Sequence, residues 1–230
     1  MSVQCGVDVL FDGPYSLYVE GFLRMYADAG INPPHPYVLF SSNYTSKNPG
    51  DWRGIQFNST TTRETGLVWS RVEFATYGVY FDGSSAFIER STLTDNNHGV
   101  YGENSSPLIR NSTITSNTED GIFLTGDDSK GEQTTVDNNT IIDNPWGVWT
   151  MYSSGTYSNN TIMYGLRGIE VDYGCHVIME SNTVSDMPSA GLCSWECDEL
   201  TIVNNTVTNT LNGINVEDAA SRILIAGNTV

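Results

Sequence analysis

Asn139-Thr140-Ile141 is followed by Gly147-Val148, and Asn160-Thr161-Ile162 is followed at the same distance by Gly168-Ile169. The phrase recurs. Upstream it stands as Ser91-Thr92-Leu93 with Gly99-Val100 and as Ser112-Thr113-Ile114 with Gly121-Ile122. Downstream it stands as Asn182-Thr183-Val184 with Gly191-Leu192 and as Asn205-Thr206-Val207 with Gly213-Ile214, and Asn228-Thr229-Val230 begins another unit. Successive threonines lie 21 to 23 residues apart, with one interval of 27. A fixed period in this range marks a solenoid, whose units bury their apolar side by stacking on one another.

The period is too short for helical-hairpin repeats, and the content is Asn, Thr, Gly, Ser and β-branched residues rather than helix formers. The expected fold is all-β, a right-handed parallel β-helix of about 9–10 coils of roughly 21–23 residues with three strand faces. Three inward columns follow from alternation. One runs Val72, Leu93, Ile114, Ile141, Ile162, Val184, Val207, Val230. A second, five residues earlier, runs Leu67, Ile88, Ile109, Val136, Tyr157, Met179, Ile202, Ile225. A third follows the glycines: Ile55, Val79, Val100, Ile122, Val148, Ile169, Leu192, Ile214. The Asn column (Asn139, Asn160, Asn182, Asn205, Asn228) is expected at a corner of positive φ, with its amides hydrogen-bonded along the stack. The glycine column is expected at a second corner for the same backbone reason. Residues 67–230 form the regular repeats and 1–66 less regular N-terminal coils of one solenoid; Gly54-Ile55-Gln56-Phe57 matches Gly78-Val79-Tyr80-Phe81. Asn32-Pro33-Pro34-His35-Pro36 reads as a loop. About ten coils at the strand spacing make a rod of about 45–50 Å. The chain stops on an inward valine, so further coils or another domain are expected in a longer parent.

These units resemble the right-handed parallel β-helix repeats of pectin-lyase-like proteins, notably the NosD-type carbohydrate-binding and sugar-hydrolase group. Pro49-Gly50-Asp51-Trp52-Arg53-Gly54-Ile55 resembles the entry segment before such repeats. The resemblance covers about residues 15 to 230 and speaks for fold; activity must come from the site, because this architecture hosts lyases, hydrolases, adhesins and stalks.

The formal charge is −17, with Lys47 and Lys130 the only lysines. So acidic a surface repels phosphate backbones, which argues against nucleic acid as a partner. No apolar run reaches the length of a membrane span. Residues 1–20 carry Asp8 and Asp12 and no basic start, so no signal peptide is read there. Of the cysteines Cys5, Cys175, Cys193 and Cys197, Cys175 and Cys197 fall nearly one above the other when counted from their glycines, and a disulfide between them is expected. Cys193-Ser194-Trp195-Glu196-Cys197 has metal-like spacing without the further ligands zinc needs. Seven Asn-X-Ser/Thr sites (Asn43, Asn58, Asn104, Asn111, Asn138, Asn159, Asn204) read either as glycosylation acceptors or as the structural repeat itself. Acidity, Asn/Thr richness and a disulfide together place the protein outside the cell or on its surface.

Three places could carry chemistry. Glu89, Arg110 and Asp137 stack outward on successive coils, as a base among carboxylates for a lyase, or as a surface ion-pair ladder. Asp127, Asp128 and Glu132 sit in the turn that stretches one repeat, a calcium loop or a solvated one; no cofactor is required, and Ca²⁺ is the one the pattern leaves open. The Arg-x-Pro-x-x-Arg pattern of pectate lyases and the assembled carboxylate signatures of polygalacturonases are absent. His98 is read as a lone corner histidine. Tyr80, Tyr101, Phe123 and Trp149 fall two residues after successive glycines, flanked by Tyr77 and Trp146. An outward aromatic ladder is unfavourable in water unless it is covered or binds flat apolar faces such as sugar rings. The preferred reading is a non-catalytic extracellular module with a glycan-binding or adhesive face. A polysaccharide lyase or glycoside hydrolase, and a structural stalk or surface-layer spacer, are the alternatives. Protein contact through the aromatic face or through the last, uncapped coil is the other open partnership.

Overall fold

The structure, a computed structural model, describes residues 2–26, 36–59, 61–126, 133–173, 176–218 and 222–230. The described residues hold strands and no helix, and every strand pairing is parallel. One face is an eight-stranded sheet that ascends through Gly66–Val68, Phe87–Glu89, Leu108–Arg110, Thr134–Asp137, Gly155–Ser158, His176–Glu180, Glu199–Val203 and Arg222–Ala226. A second face starts at Asp8–Phe11 and Val38–Ser42 and rises through Thr92–Thr94 to Thr161–Met163. The third starts at Ser16–Val19 and Trp52–Phe57 and rises through Ala75–Asp82, His98–Glu103, Asp120–Thr125 and Trp146–Met151 to Arg167–Asp172. The strands Thr183–Trp195 and Thr206–Glu217 run through both of these faces and join them into one sheet. This is a parallel β-solenoid.

The inward columns stack as the repeat predicts. Leu93 pairs Ile114, which pairs Ile141, Ile162 and Val184 in turn. Tyr157 lies between Val136 and Met179 on the first face, and Ile122 between Val100 and Val148 on the third. The columns are buried as far as the last coils, where Ile214 is half-buried and Ile225 and Val230 are exposed. Interior residues of the middle coils are thus covered above and below by apolar side chains at the strand spacing, and this repetition supplies the core.

The corners differ from expectation in one respect. The stacked asparagines are not the residues of positive φ; the residue before each of them is. Asn138 (φ 54°), Asn159 (54°), Ser181 (56°) and Asn204 (58°) turn the chain. The next residue then points its amide inward, where Asn139, Asn160, Asn182 and Asn205 are buried. Nδ2 of each donates to Oδ1 of the next at 3.0 Å, ending on Asn228. The expected ladder exists, and it is a buried one. A second ladder, Asn96 to Asn117 to Asn144 at 3.2 and 2.8 Å, lines the following corner behind Asp95, Ser116 and Asp143, again at positive φ.

The glycine column also has a different cause. Gly99, Gly121, Gly147 and Gly168 do not have positive φ; Gly54 alone in that column does, at 115°. They are glycine because the coils approach too closely there. A Cβ on Gly121 would lie 2.6 Å from the carbonyl oxygen of Gly147 and 3.0 Å from Cγ2 of Ile141. Gly54 faces Tyr77 rather than Gly78, with a register slip before Ile55. Of Asn32-Pro33-Pro34-His35-Pro36, all but Pro36 lie outside the described residues.

Candidate functional site

Alternation on the third face sends Val100 inward and Tyr101 outward, Gly102 inward and Glu103 outward. Because the coils are in register, three outward columns cover this face. The middle one stacks Gln56, Tyr80, Tyr101, Phe123, Trp149, Glu170 and Cys193. One flank carries Tyr77, His98, Asp120, Trp146 and Arg167. The other carries Asp82, Glu103, Thr125, Met151, Asp172 and Trp195.

The predicted aromatic residues are brought together as one continuous surface. Ring centroids lie 5.7 Å apart for Tyr80–Tyr101, 5.0 Å for Tyr101–Phe123 and 5.0 Å for Phe123–Trp149. Tyr77 packs on Tyr101 at 4.8 Å, and Trp146 stacks on Trp149 at 5.7 Å. All six rings are half-buried. Their polar edges are held by carboxylates. Tyr80 donates to Glu103 at 2.8 Å, Trp146 Nε1 to Glu170 at 2.8 Å and Trp149 Nε1 to Asp172 at 2.9 Å. Burial first, and the neighbouring Glu103 second, push the phenols of Tyr80 and Tyr101 above their ordinary range, so both remain hydrogen-bond donors.

A cleft opens at each end of the ladder. One, of about 340 Å³, is lined by Tyr18, Arg53, Gln56, Tyr77 and Tyr80 among others. The other, of about 220 Å³, is lined by Arg167, Glu170, Asp172, Cys193, Trp195 and Asn215 among others. Burial raises the carboxyls of Glu170 and Asp172 above the usual carboxylate range; Arg167, ion-paired with Glu170, and the two indole N–H groups pull the other way. Burial also pushes the Cys193 thiol up to about 12, which favours the neutral thiol over the thiolate. A larger hollow of about 650 Å³ on the first face, with His176, Glu199 and Arg222, has no Tyr, Trp or Phe in its lining.

His98 is not a corner residue. It opens the strand His98–Glu103, stacks on Tyr77 at 5.2 Å, and stands between Asp120 (Nδ1 to Oδ2, 2.9 Å) and Glu119 (Nε2 to Oε2, 3.2 Å). Glu89, Arg110 and Asp137 do stack in register on the first face, away from the ladder. There Arg110 pairs with Glu89 at 3.0 Å, while Asp137 accepts from Ser158 at 2.7 Å and Asn159 at 2.8 Å. Asp127, Asp128 and Glu132 lie outside the described residues, and so does Cys175, hence its pairing with Cys197. Cys197 itself is buried, with Sγ 3.5 Å from the Val171 carbonyl oxygen. Among the described residues no group of three His, Cys, Asp or Glu is arranged to hold a metal ion, and no helix is long and apolar enough to cross a membrane.

The profile of the family described as right handed beta helix region matches residues 77–230. The chain belongs to the right-handed β-helix family. Among solved structures, this β-helix is similar to an alginate lyase from Paenibacillus sp. str. FPU-7, at 14% identity and a TM-score of 0.48, covering 100% of this chain and 91% of that one. No curated protein matches it. The sequence reading of the β-helix passed over Glu103, Arg167, Glu170 and Asp172. Each was reachable by counting: Glu170 and Asp172 stand two and four residues after Gly168, the offsets of Trp149 and Met151 from Gly147.

Proposed function

We propose that this protein is a non-catalytic β-helix module that binds a saccharide chain along the third face, acting outside the cell. The observation that carries the reading is the in-register, half-buried ladder Tyr80–Tyr101–Phe123–Trp149, flanked by Tyr77 and Trp146. Ring faces at coil spacing offer apolar platforms to pyranose rings, while carboxylates and phenols beside them meet hydroxyls. The carboxylates already hold the indole and phenol hydrogens, so the platforms are fixed before a ligand arrives. Against a lyase, the Arg110 guanidinium is engaged by Glu89 on a face that lacks the rings. The binding reading needs no metal, so a chelator should leave affinity unchanged.

Isothermal calorimetry and affinity electrophoresis against a panel of neutral and charged polysaccharides test it. The double variant Tyr101→Ala/Trp149→Ala should weaken binding by about ten- to hundred-fold. Unchanged affinity would remove the ladder from the site. Capture of a protein ligand with no glycan bound would favour the protein-contact alternative.

A further inference from the structure

The charge around the ladder is mostly negative. Glu103 lies beside Tyr80, Asp120 beside His98, and Glu170 and Asp172, one coil on, at the edges of Trp146 and Trp149. Two cations border the ladder: Arg167, which is paired with Glu170, and Arg53, which is exposed in the cleft beside Tyr77 and Tyr80; Glu103, Asp120 and Asp172 outnumber what they offset. The whole chain carries −17. A polyuronate laid on this face would bring its carboxylates against fixed carboxylates with low-dielectric rings between them, where like charges are screened least. A protonated amine meets the reverse situation: π-faces and carboxylates together are the surroundings that stabilise an organic cation. Resting on the saccharide reading, we propose that the ladder selects amine-bearing, cationic saccharides over neutral ones and rejects polyuronates, with Glu103, Glu170 and Asp172 setting the preference.

Calorimetry on the full chain, in chelator, with three probes of matched length tests this. The probes are a glucosamine oligosaccharide at a pH that protonates its amines, the fully N-acetylated oligosaccharide, and an oligouronate. The expected order is amine, then acetylated, then uronate, with about ten-fold between the first two, diminishing as salt is raised. Glu170→Gln/Asp172→Asn and, separately, Glu103→Gln should shrink the amine-to-acetyl ratio. Each keeps a side-chain oxygen for its indole or phenol partner, and melting curves report folding. Glu180→Gln, on the first face, removes one carboxylate as Glu103→Gln does and should leave the ratio unchanged. Equal affinity for amine and acetyl probes, or tightest binding of the uronate, would overturn the preference while leaving saccharide binding intact. Binding of none of the three, nor of the wider panel, would overturn both.

Discussion

Asn160 donates its Nδ2–H to Oδ1 of Asn182 across 3.0 Å, and its own Oδ1 accepts from both the backbone N–H and the Nδ2–H of Asn139 at 3.0 Å. A second Nδ2 hydrogen goes to the Val136 carbonyl at 2.9 Å. One buried amide thereby satisfies polar groups on the coils to either side, where water cannot replace it. Asn160→Ala leaves several of them unpaired and should lower unfolding free energy by about 2–4 kcal/mol, read from urea melts. Ser181, the residue of positive φ before Asn182, behaves oppositely: Ser181→Gly should be neutral or slightly stabilising, and Ser181→Val destabilising by about 1–2 kcal/mol. Equal losses at Asn160→Ala and Ser181→Gly would refute this division of labour.

The glycines predict in a similar way. Gly121→Ala forces a Cβ against a backbone oxygen that belongs to the neighbouring coil, so relief requires the coils to separate. The expected loss is about 2–4 kcal/mol. Gly21 has nothing within 4 Å of an added Cβ, and Gly21→Ala should stay within about 0.5 kcal/mol. Thermal melts of the two variants side by side check the contrast.

The stacking columns were legible because a solenoid writes one coil's environment many times; Leu93, Ile114 and Ile141 announce one another through equal spacing. The cause of the polar columns was not, since Asn is favoured both at positive φ and as a buried amide, and only the backbone assigns Asn138 to the first and Asn139 to the second. Gly99 is ambiguous for the same reason. The site was half legible. Tyr101 and Trp149 stand out as large apolar residues at outward positions, whereas Glu170 looks like any surface acid until Trp146, on the coil below, is found donating to it. His98 failed because its partners Glu119 and Asp120 lie a coil away in sequence.

Arg110 tests the first face. Its pair with Glu89 is exposed on the arginine side. Arg110→Ala should change stability by less than about 1 kcal/mol and leave glycan affinity untouched. A lyase that used Arg110 as its base would instead release unsaturated product from a polyuronate and stop doing so in the variant; ultraviolet absorbance of the reaction decides.

The carboxyl of Asp172 gives a pH-dependent prediction with a definite sign. Burial raises its pKa above the ordinary Asp range, and the hydrogen bond from Trp149 and the charge of Arg167 only partly oppose this. A raised folded-state value means that the folded protein holds the proton more readily than the unfolded chain. Stability is therefore lost as pH climbs from the ordinary Asp range through the raised value, and the loss is complete above it. Asp172→Asn removes the titration, keeps the shape and retains an oxygen for the Trp149 N–H. The variant should melt higher than the parent at neutral pH, and the advantage should vanish below the ordinary carboxylate range, where Asp172 is protonated in both states. Glu170→Gln should gain less, because it also breaks the direct ion pair with Arg167, which Asp172 does not make. Melting curves at the two pH values settle the sign: an Asp172→Asn protein less stable at neutral pH would mean that the charged hydrogen bond to Trp149 outweighs the burial of the carboxylate.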